Sequence, residues 1–144
     1  VNAHVTVDNS DWILAAAYGE AIRAGNPPLQ EEIGAAFLEH IMSAVRHYQE
    51  IAQRKVGRDV PHILLLHANT LVADQMDALL ERLRDEGFRF VSTSEALRDP
   101  VYRQPDDYIG PRGLSWLYRI EPATPEAVEW DDEQAAALNA RFRE

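Results

Sequence analysis

A short run of consecutive apolar residues most restricts how this chain can fold. Ile63-Leu64-Leu65-Leu66 stands between more polar segments and is followed at once by His67. An apolar run of this length without alternation predicts a strand covered on both faces, as in a parallel sheet. The run therefore predicts α/β layering, in which helices cover the faces of a parallel sheet.

Helices are predicted on both sides of this strand. Apolar residues recur every three or four positions across 29–54, which indicates one buried helical face. Short apolar segments at 5–7 and 88–90 predict two further strands. Further helices are predicted at 11–24 and from Thr70, the expected cap, to Gly87. Parallel strands joined by right-handed crossovers end on one side of a sheet, so polar side chains at the strand ends are expected to converge there.

Charge and composition exclude several classes of function. The net charge is −10, from 24 acidic and 14 basic residues, so most of the surface would repel a polyanion such as DNA. The chain has no cysteine, which excludes disulfides, thiolate metal sites and cysteine nucleophiles. No apolar run approaches the roughly 20 residues that cross a bilayer, and no signal peptide is recognisable.

Two polar segments lie where a predicted strand passes into a predicted helix. The first is DNSDW at 8–12, where helix N-terminal amides can hold carboxylates; alternatively, both aspartates are caps and Trp12 is core. The second is His67, which can donate a proton near neutral pH when a carboxylate orients it; alternatively, it is half-buried and bonded to backbone. His40 and His47 share a helix face, but they are not spaced as a helical zinc pair, so they are interpreted as solvated or structural.

Taken together, these segments resemble two motifs of the NodB-like polysaccharide deacetylases. The segment DNSDW at 8–12 is similar to the D-x-x-D-W motif of that family, and LLH at 65–67 is similar to its later L-x-H motif. The order of the motifs and their placement at strand ends also match. The similarity extends through most of residues 3–120, and the segment after Pro122 matches no part of the family pattern.

This resemblance implies a fold and a missing part. The family fold is a distorted barrel of seven or eight parallel strands, and a complete eight-stranded barrel needs about 250 residues. The chain is therefore identified as a partial barrel, the C-terminal half of a (β/α)7-8 domain at 1–122, followed by an acidic tail with a terminal helix at 123–144. Within these parts, the sequence predicts a long surface loop at 101–113 and an amphipathic helix at 131–143. The early motifs that supply the metal ligands in the family are absent from this sequence.

The resemblance also implies a reaction and a role for each matching residue. The expected enzyme is a metal-dependent hydrolase that removes N-acetyl groups from a polysaccharide or oligosaccharide. His67 would be the general acid that protonates the departing amine, and Asp11 would hydrogen-bond His67 and fix its tautomer. Trp12 would form one wall of the sugar groove, and Leu65 would line the pocket for the acetyl methyl.

Cofactor, partner and location follow from the same resemblance. A divalent metal such as zinc is expected, with its ligands in the missing N-terminal half. A partner chain or that half would then complete the barrel, and the family's substrates imply a periplasmic or extracellular location. Two alternatives stay open: a non-catalytic glycan-binding or assembly module, and a hydrolase of the same fold acting on a cyclic amide or imide.

Overall fold

A computed structural model of the chain describes residues 2–124 and 128–142, and its regular elements are helices. They are α1 (Asp11–Arg23), α2 (Pro27–Val56), α3 (Thr70–Asp85), α4 (Thr93–Ala96), α5 (Trp116–Arg119) and α6 (Glu129–Phe142), with one 3-10 turn (Pro100–Arg103). None of the helices within these ranges combines the length and apolarity needed to cross a membrane.

The predicted α/β partial barrel is wrong. Across the described residues, β-pairing is limited to isolated bridges, one parallel between Val7 and Leu64 and one antiparallel between Asp106 and Ile120. The backbone oxygen of Ile63 accepts hydrogen bonds from two successive N–H groups, at 3.0 and 3.1 Å, instead of continuing a ladder. The bridge therefore does not extend into a strand, and residues 63–66 stay half-buried rather than covered on both faces.

The third predicted strand, at 88–90, is not formed either. Phe88 is half-buried, and Phe90 is 46% exposed. An alternating apolar pair this short can equally belong to a connection that follows a helix. Gly87, with φ of 89°, ends the preceding helical segment, and Phe88 then bonds back through its N–H to Leu83 at 3.0 Å.

The three longer predicted helices are confirmed in position. Predictions at 11–24, 29–54 and from 70 onward correspond to α1, α2 and α3. Gly25 and Gly57 follow the first two helices with φ of 60° and 76°, a conformation that glycine adopts without steric cost. The periodic apolar face of α2 is buried, with Ile33, Phe37 and Ile41 fully inaccessible.

Two smaller predictions in the last third need correction. The surface loop predicted at 101–113 begins instead with buried Val101 and Tyr102 in the 3-10 turn. The amphipathic helix predicted at 131–143 is present as α6, but none of the described side chains of that helix is buried. Its apolar residues are mostly alanines, which bury little area, so they do not define a packed face.

The described residues form two compact units. The first contains residues 2–8, 44–65, 90–124 and 128–130, and the second contains 9–43, 66–89 and 131–142. The helix α2 contributes residues to both. The predicted boundary at residue 122 stays a prediction.

A buried polar network organises the first unit around Thr6. The Thr6 hydroxyl oxygen accepts a hydrogen bond from the Ile63 N–H at 2.8 Å and lies 3.2 Å from His62 Nδ1. Tyr102 donates its hydroxyl proton to the Pro61 carbonyl at 2.6 Å, and its oxygen lies 3.4 Å from the Thr6 hydroxyl. Thr6 is fully inaccessible, so its hydroxyl is a structural group and not a nucleophile.

His62 makes the stability of the protein pH-dependent. Burial lowers the pKa of His62, and the nearby Asp59 carboxylate opposes this only in part. Below about pH 6.5 the unfolded chain protonates this histidine while the folded chain still excludes the proton. We expect the free energy of unfolding to fall as the pH drops through this window, by at most about 1.4 kcal/mol per pH unit for this one group.

Urea unfolding between pH 7.5 and 5.0 measures this slope. The matched variant His62→Gln cannot titrate, so its stability is expected to change less steeply with pH than that of the wild type. Parallel profiles for the two proteins would exclude His62 as a source of the pH dependence.

Candidate acid–base site

The candidate site lies in the second unit, where the start of α1 meets the segment before α3. The two helices pack against each other, and the Tyr18 hydroxyl on α1 donates to Asp74 Oδ2 on α3 at 2.9 Å. The helix α2 approaches α3 closely at Gly34, where a Cβ would lie 2.8 Å from the Gln75 amide nitrogen. A side chain at this position would therefore require the flexible Gln75 side chain to move.

Asp11, the first residue of α1, is fully buried and uses both carboxylate oxygens to hold His67. Oδ2 accepts a hydrogen bond from the backbone N–H of His67 at 2.9 Å. Oδ1 lies 2.5 Å from the ring nitrogen Nδ1 of the same residue. An ionised carboxylate only accepts, so Nδ1 carries the proton and Nε2 of the neutral ring is the basic nitrogen.

His67 is exposed although its partner is buried. Its side chain is 51% accessible, against 1% for that of Asp11. Within the second unit, Nε2 bonds to none of the described residues. The carbonyl of His67 accepts from the Asn69 amide at 3.0 Å, so the backbone is fixed on both sides of the imidazole.

Asn69 fixes this backbone because it also caps α3. Its side-chain oxygen accepts from the Val72 N–H at 2.9 Å, which makes it the N-cap, rather than the predicted Thr70. The amide therefore satisfies one helix-terminal donor and one carbonyl at the same time. The segment 67–70 is consequently ordered by side-chain bonds as well as by packing.

The start of α1 is capped by neighbours rather than by its own serine. Ser10 occupies the cap position, but its side chain makes no capping hydrogen bond. Instead, the Asp11 N–H donates to Asn9 Oδ1 at 2.9 Å, and the Ser10 N–H donates to His40 Nε2 at 3.1 Å. The backbone that carries Asp11 is therefore attached to α2 through one imidazole.

His40 is buried and only half satisfied. The residue is 6% accessible, and its Nδ1 has no hydrogen-bond partner among the described residues. Burial lowers the pKa of His40, whereas the charge of Asp11 acts in the opposite direction. Because Nε2 accepts from a backbone N–H, the ring is neutral with its proton on Nδ1.

The predicted substrate-binding residues lie in different places. Trp12 follows Asp11 on α1 and is 46% exposed, so the alternative that this indole belongs to the core is wrong. Leu65 belongs to the first unit and is half-buried. The structure thus brings Asp11, His67 and Trp12 into one unit and does not assign Leu65 to it.

Three further residues of this site were missed by sequence reasoning: Asn9, His40 and Asn69. His40 follows Phe37 by three positions and so falls on the buried face of α2, which was a usable signal for burial. Asn69 stands immediately before Thr70 and is itself a preferred capping residue. No sequence signal placed Asn9 beside the Asp11 N–H.

The remaining histidines have structural contacts in the first unit. The ring of His47 is stacked on Trp130 at 4.1 Å between centroids, with Nε2 at 2.8 Å from the Tyr118 hydroxyl. The ring of His4 is stacked on Trp116 at 4.0 Å. These contacts bury or cover the rings and leave them no role in the candidate site.

The divalent metal was predicted to bind ligands in the missing N-terminal half, and this stays a prediction. Among residues 2–124 and 128–142, no group of three or more histidine or acidic side chains is arranged to hold a metal ion. Asp11, the buried carboxylate of the site, already uses both oxygens on His67. The proton transfer proposed for this chain therefore uses no metal bound by its described residues.

The pair has the geometry of an acid–base group. A buried carboxylate contacts both the backbone N–H and the ring Nδ1 of His67, whose side chain is 51% exposed. Such an arrangement lets Nε2 take a proton from a bound molecule or return one to it, while the carboxylate faces the transient imidazolium. We call Asp11 and His67 the dyad.

Comparison with known proteins gives this chain no family. No protein-family model matches it, and neither the curated proteins nor the solved structures include a significant match. Together with the helical architecture and the absence of a sheet among the described residues, these results overturn the resemblance to polysaccharide deacetylases. The identification as half of a TIM-like barrel of that family is wrong.

Proposed function

We propose that this chain contributes the proton-transfer group of a hydrolytic site for N-acetylated sugars. The observation that supports it is the dyad, in which buried Asp11 contacts His67 through both carboxylate oxygens while the His67 side chain is 51% exposed. Hydrolysis of an acetamide needs a proton on the departing amine, because an amide anion is too poor a leaving group in water. His67 Nε2 is the group that supplies it.

The dyad performs this step without a change in its own hydrogen bonds. Nδ1 stays protonated against Asp11 while Nε2 gains a proton from the attacking water and passes it to the amine nitrogen as the C–N bond breaks. The products are acetate and a free amino sugar, and the imidazole returns to its starting tautomer. A fixed ring needs little reorganisation during this cycle, which favours catalysis.

Trp12 supports a sugar as the substrate. Its indole is 46% exposed directly after Asp11 on α1, and an exposed aromatic face suits the apolar C–H face of a pyranose ring. The net charge of −10 favours neutral or cationic ligands over polyanions, and an acetylated amino sugar is neutral. The partner chain expected to complete the site, the divalent metal expected with it, and an envelope location stay proposals.

Acetate release from N-acetylglucosamine oligomers tests this function. We expect the protein, assayed together with the partner chain that completes the site, to release acetate above a buffer blank, and Trp12→Ala to raise KM about five- to tenfold with a smaller effect on kcat. The physical reason is the loss of one aromatic contact of about 1 kcal/mol that acts on binding rather than on the proton. Trp12→Phe, which keeps an aromatic face, is the matched control and should retain most of the affinity.

Each outcome distinguishes the proposal from its alternative. Binding of the oligomers without acetate release, in the presence or absence of added zinc, would favour the non-catalytic glycan-binding module. Neither binding nor release would exclude both.

A further inference from the structure

We infer that His40 is a positioning residue whose neutral imidazole holds the start of α1, so that its protonation releases Asp11 from His67 and switches the dyad off. This inference rests on the proposed acid–base role of the dyad. It assigns a regulatory function to a buried histidine that takes no part in the proton transfer itself.

The hydrogen bond between Ser10 and His40 has a fixed direction. Ser10 N–H is a backbone donor, so His40 Nε2 must present its lone pair across the 3.1 Å contact. A proton on Nε2 would place two donors face to face. Protonation of His40 therefore breaks this contact rather than weakening it.

The contact between Ser10 and His40 holds the backbone next to Asp11. The Ser10 side chain makes no capping bond, and the Ser10 N–H, which precedes Asp11 by one residue, is bound by His40 at 3.1 Å. Asp11 is the next residue after Ser10, and its two oxygens hold His67. Loss of the Ser10 anchor thus acts within one residue of the carboxylate that orients the imidazole.

Burial keeps the His40 ring neutral at neutral pH. The ring is 6% accessible, and its Nδ1–H is buried without a partner among the described residues. Burial lowers the pKa of His40, and Asp11, on α1, is the charged group that opposes this. The acidic residues Glu39 on α2 and Asp74 on α3 are exposed to solvent.

Acidification is expected to break the contact between His40 and Ser10. Above about pH 6.5 His40 is neutral in both the folded and the unfolded chain, and the anchor is intact. Below its lowered folded-state pKa the ring takes up a proton, the anchor opens and the dyad loses its geometry. The site is therefore expected to be ordered at neutral pH and released on acidification.

Nuclear magnetic resonance of protein labelled with ¹⁵N at histidine tests this inference without relying on activity. The readout is the Nδ1 proton of His67, which the Asp11 carboxylate shields from exchange, followed from pH 8 to pH 5 together with the ring nitrogens of His40. We expect the His67 signal to disappear with the midpoint at which His40 titrates. Midpoints that differ by more than about one pH unit, a tenfold difference in proton affinity, would overturn the inference.

Two variants separate positioning from mere packing. In His40→Gln the amide oxygen can accept from Ser10 N–H but cannot titrate, so the His67 signal should persist to lower pH than in the wild type. His40→Leu has similar bulk and no acceptor, so the signal should be weak at every pH. A wild-type pH profile in His40→Gln, or a wild-type signal in His40→Leu, would contradict the anchoring role.

The same samples distinguish failure of this inference from failure of the proposed function. Loss of the His67 Nδ1 proton signal together with the titration of His40, without any acetate release, would refute the hydrolytic role and leave the anchor standing. Acetate release whose acid limb is identical in the wild type and His40→Gln would refute the anchor and leave the hydrolytic role standing.

Discussion

Asp11→Asn lowers the rate of acetate release by about 10²- to 10⁴-fold, the range expected when acid–base catalysis is lost. The asparagine side chain has one oxygen, and the backbone N–H of His67, at 2.9 Å from Oδ2, binds it. The amide NH2 then faces Nδ1, a position where the ring must now accept. The proton moves to Nε2, so the exposed nitrogen can no longer take a proton from water.

Steady-state kinetics check this result, with thermal unfolding as the test that the fold is intact. The matched control is Asp74→Asn, which removes a carboxylate from the same unit that is bonded to Tyr18 at 2.9 Å rather than to His67. We expect Asp74→Asn to leave kcat within about twofold, because surface changes away from the dyad are usually small. Equal losses in both variants would mean that the effect is structural.

His67→Gln and the double variant complete the test. If the two residues act as one unit, His67→Gln should lose about as much activity as Asp11→Asn, and the double variant should lose little more. If the fold losses of the two single variants multiply in the double variant, Asp11 and His67 act independently. That result would contradict the dyad.

The helices were predictable because their signals are local. Gly25, Gly57 and Gly87 mark helix ends with positive φ angles, and the apolar period of α2 specifies its buried face. The sheet was not predictable, because a run such as 63–66 has the same pattern in a covered strand and in a half-buried connection. Deciding between them requires the partners of the strand, which lie far away in sequence.

The candidate site was predictable only in part, and through a resemblance that is itself wrong. Asp11 stands at the start of α1 and His67 just before α3, and the packing of these two helices places them in contact. The contact between Asp11 and His67 therefore forms without the strand ends of a barrel. His40 was judged by the spacing of zinc ligands, whereas its position on the buried face of α2 carried the relevant information.

Thr6→Val destabilises the protein by about 2–4 kcal/mol, a large share of the roughly 5–15 kcal/mol that holds a typical domain folded. Valine has the shape of threonine but no hydroxyl, so the side-chain volume is conserved while the hydrogen bonds are lost. The Ile63 N–H, at 2.8 Å from the Thr6 oxygen, is left without its acceptor. His62 Nδ1 loses the same oxygen at 3.2 Å.

Urea unfolding at pH 7.5 measures this change, and Thr6→Ser is the matched control. Serine keeps the hydroxyl and loses one buried methyl group, so its cost should be about 1 kcal/mol. The order of stability should therefore be wild type, then Thr6→Ser, then Thr6→Val, even though valine is the better match in volume. The reverse order of the two variants would show that packing around Thr6, and not its hydroxyl, stabilises the first unit.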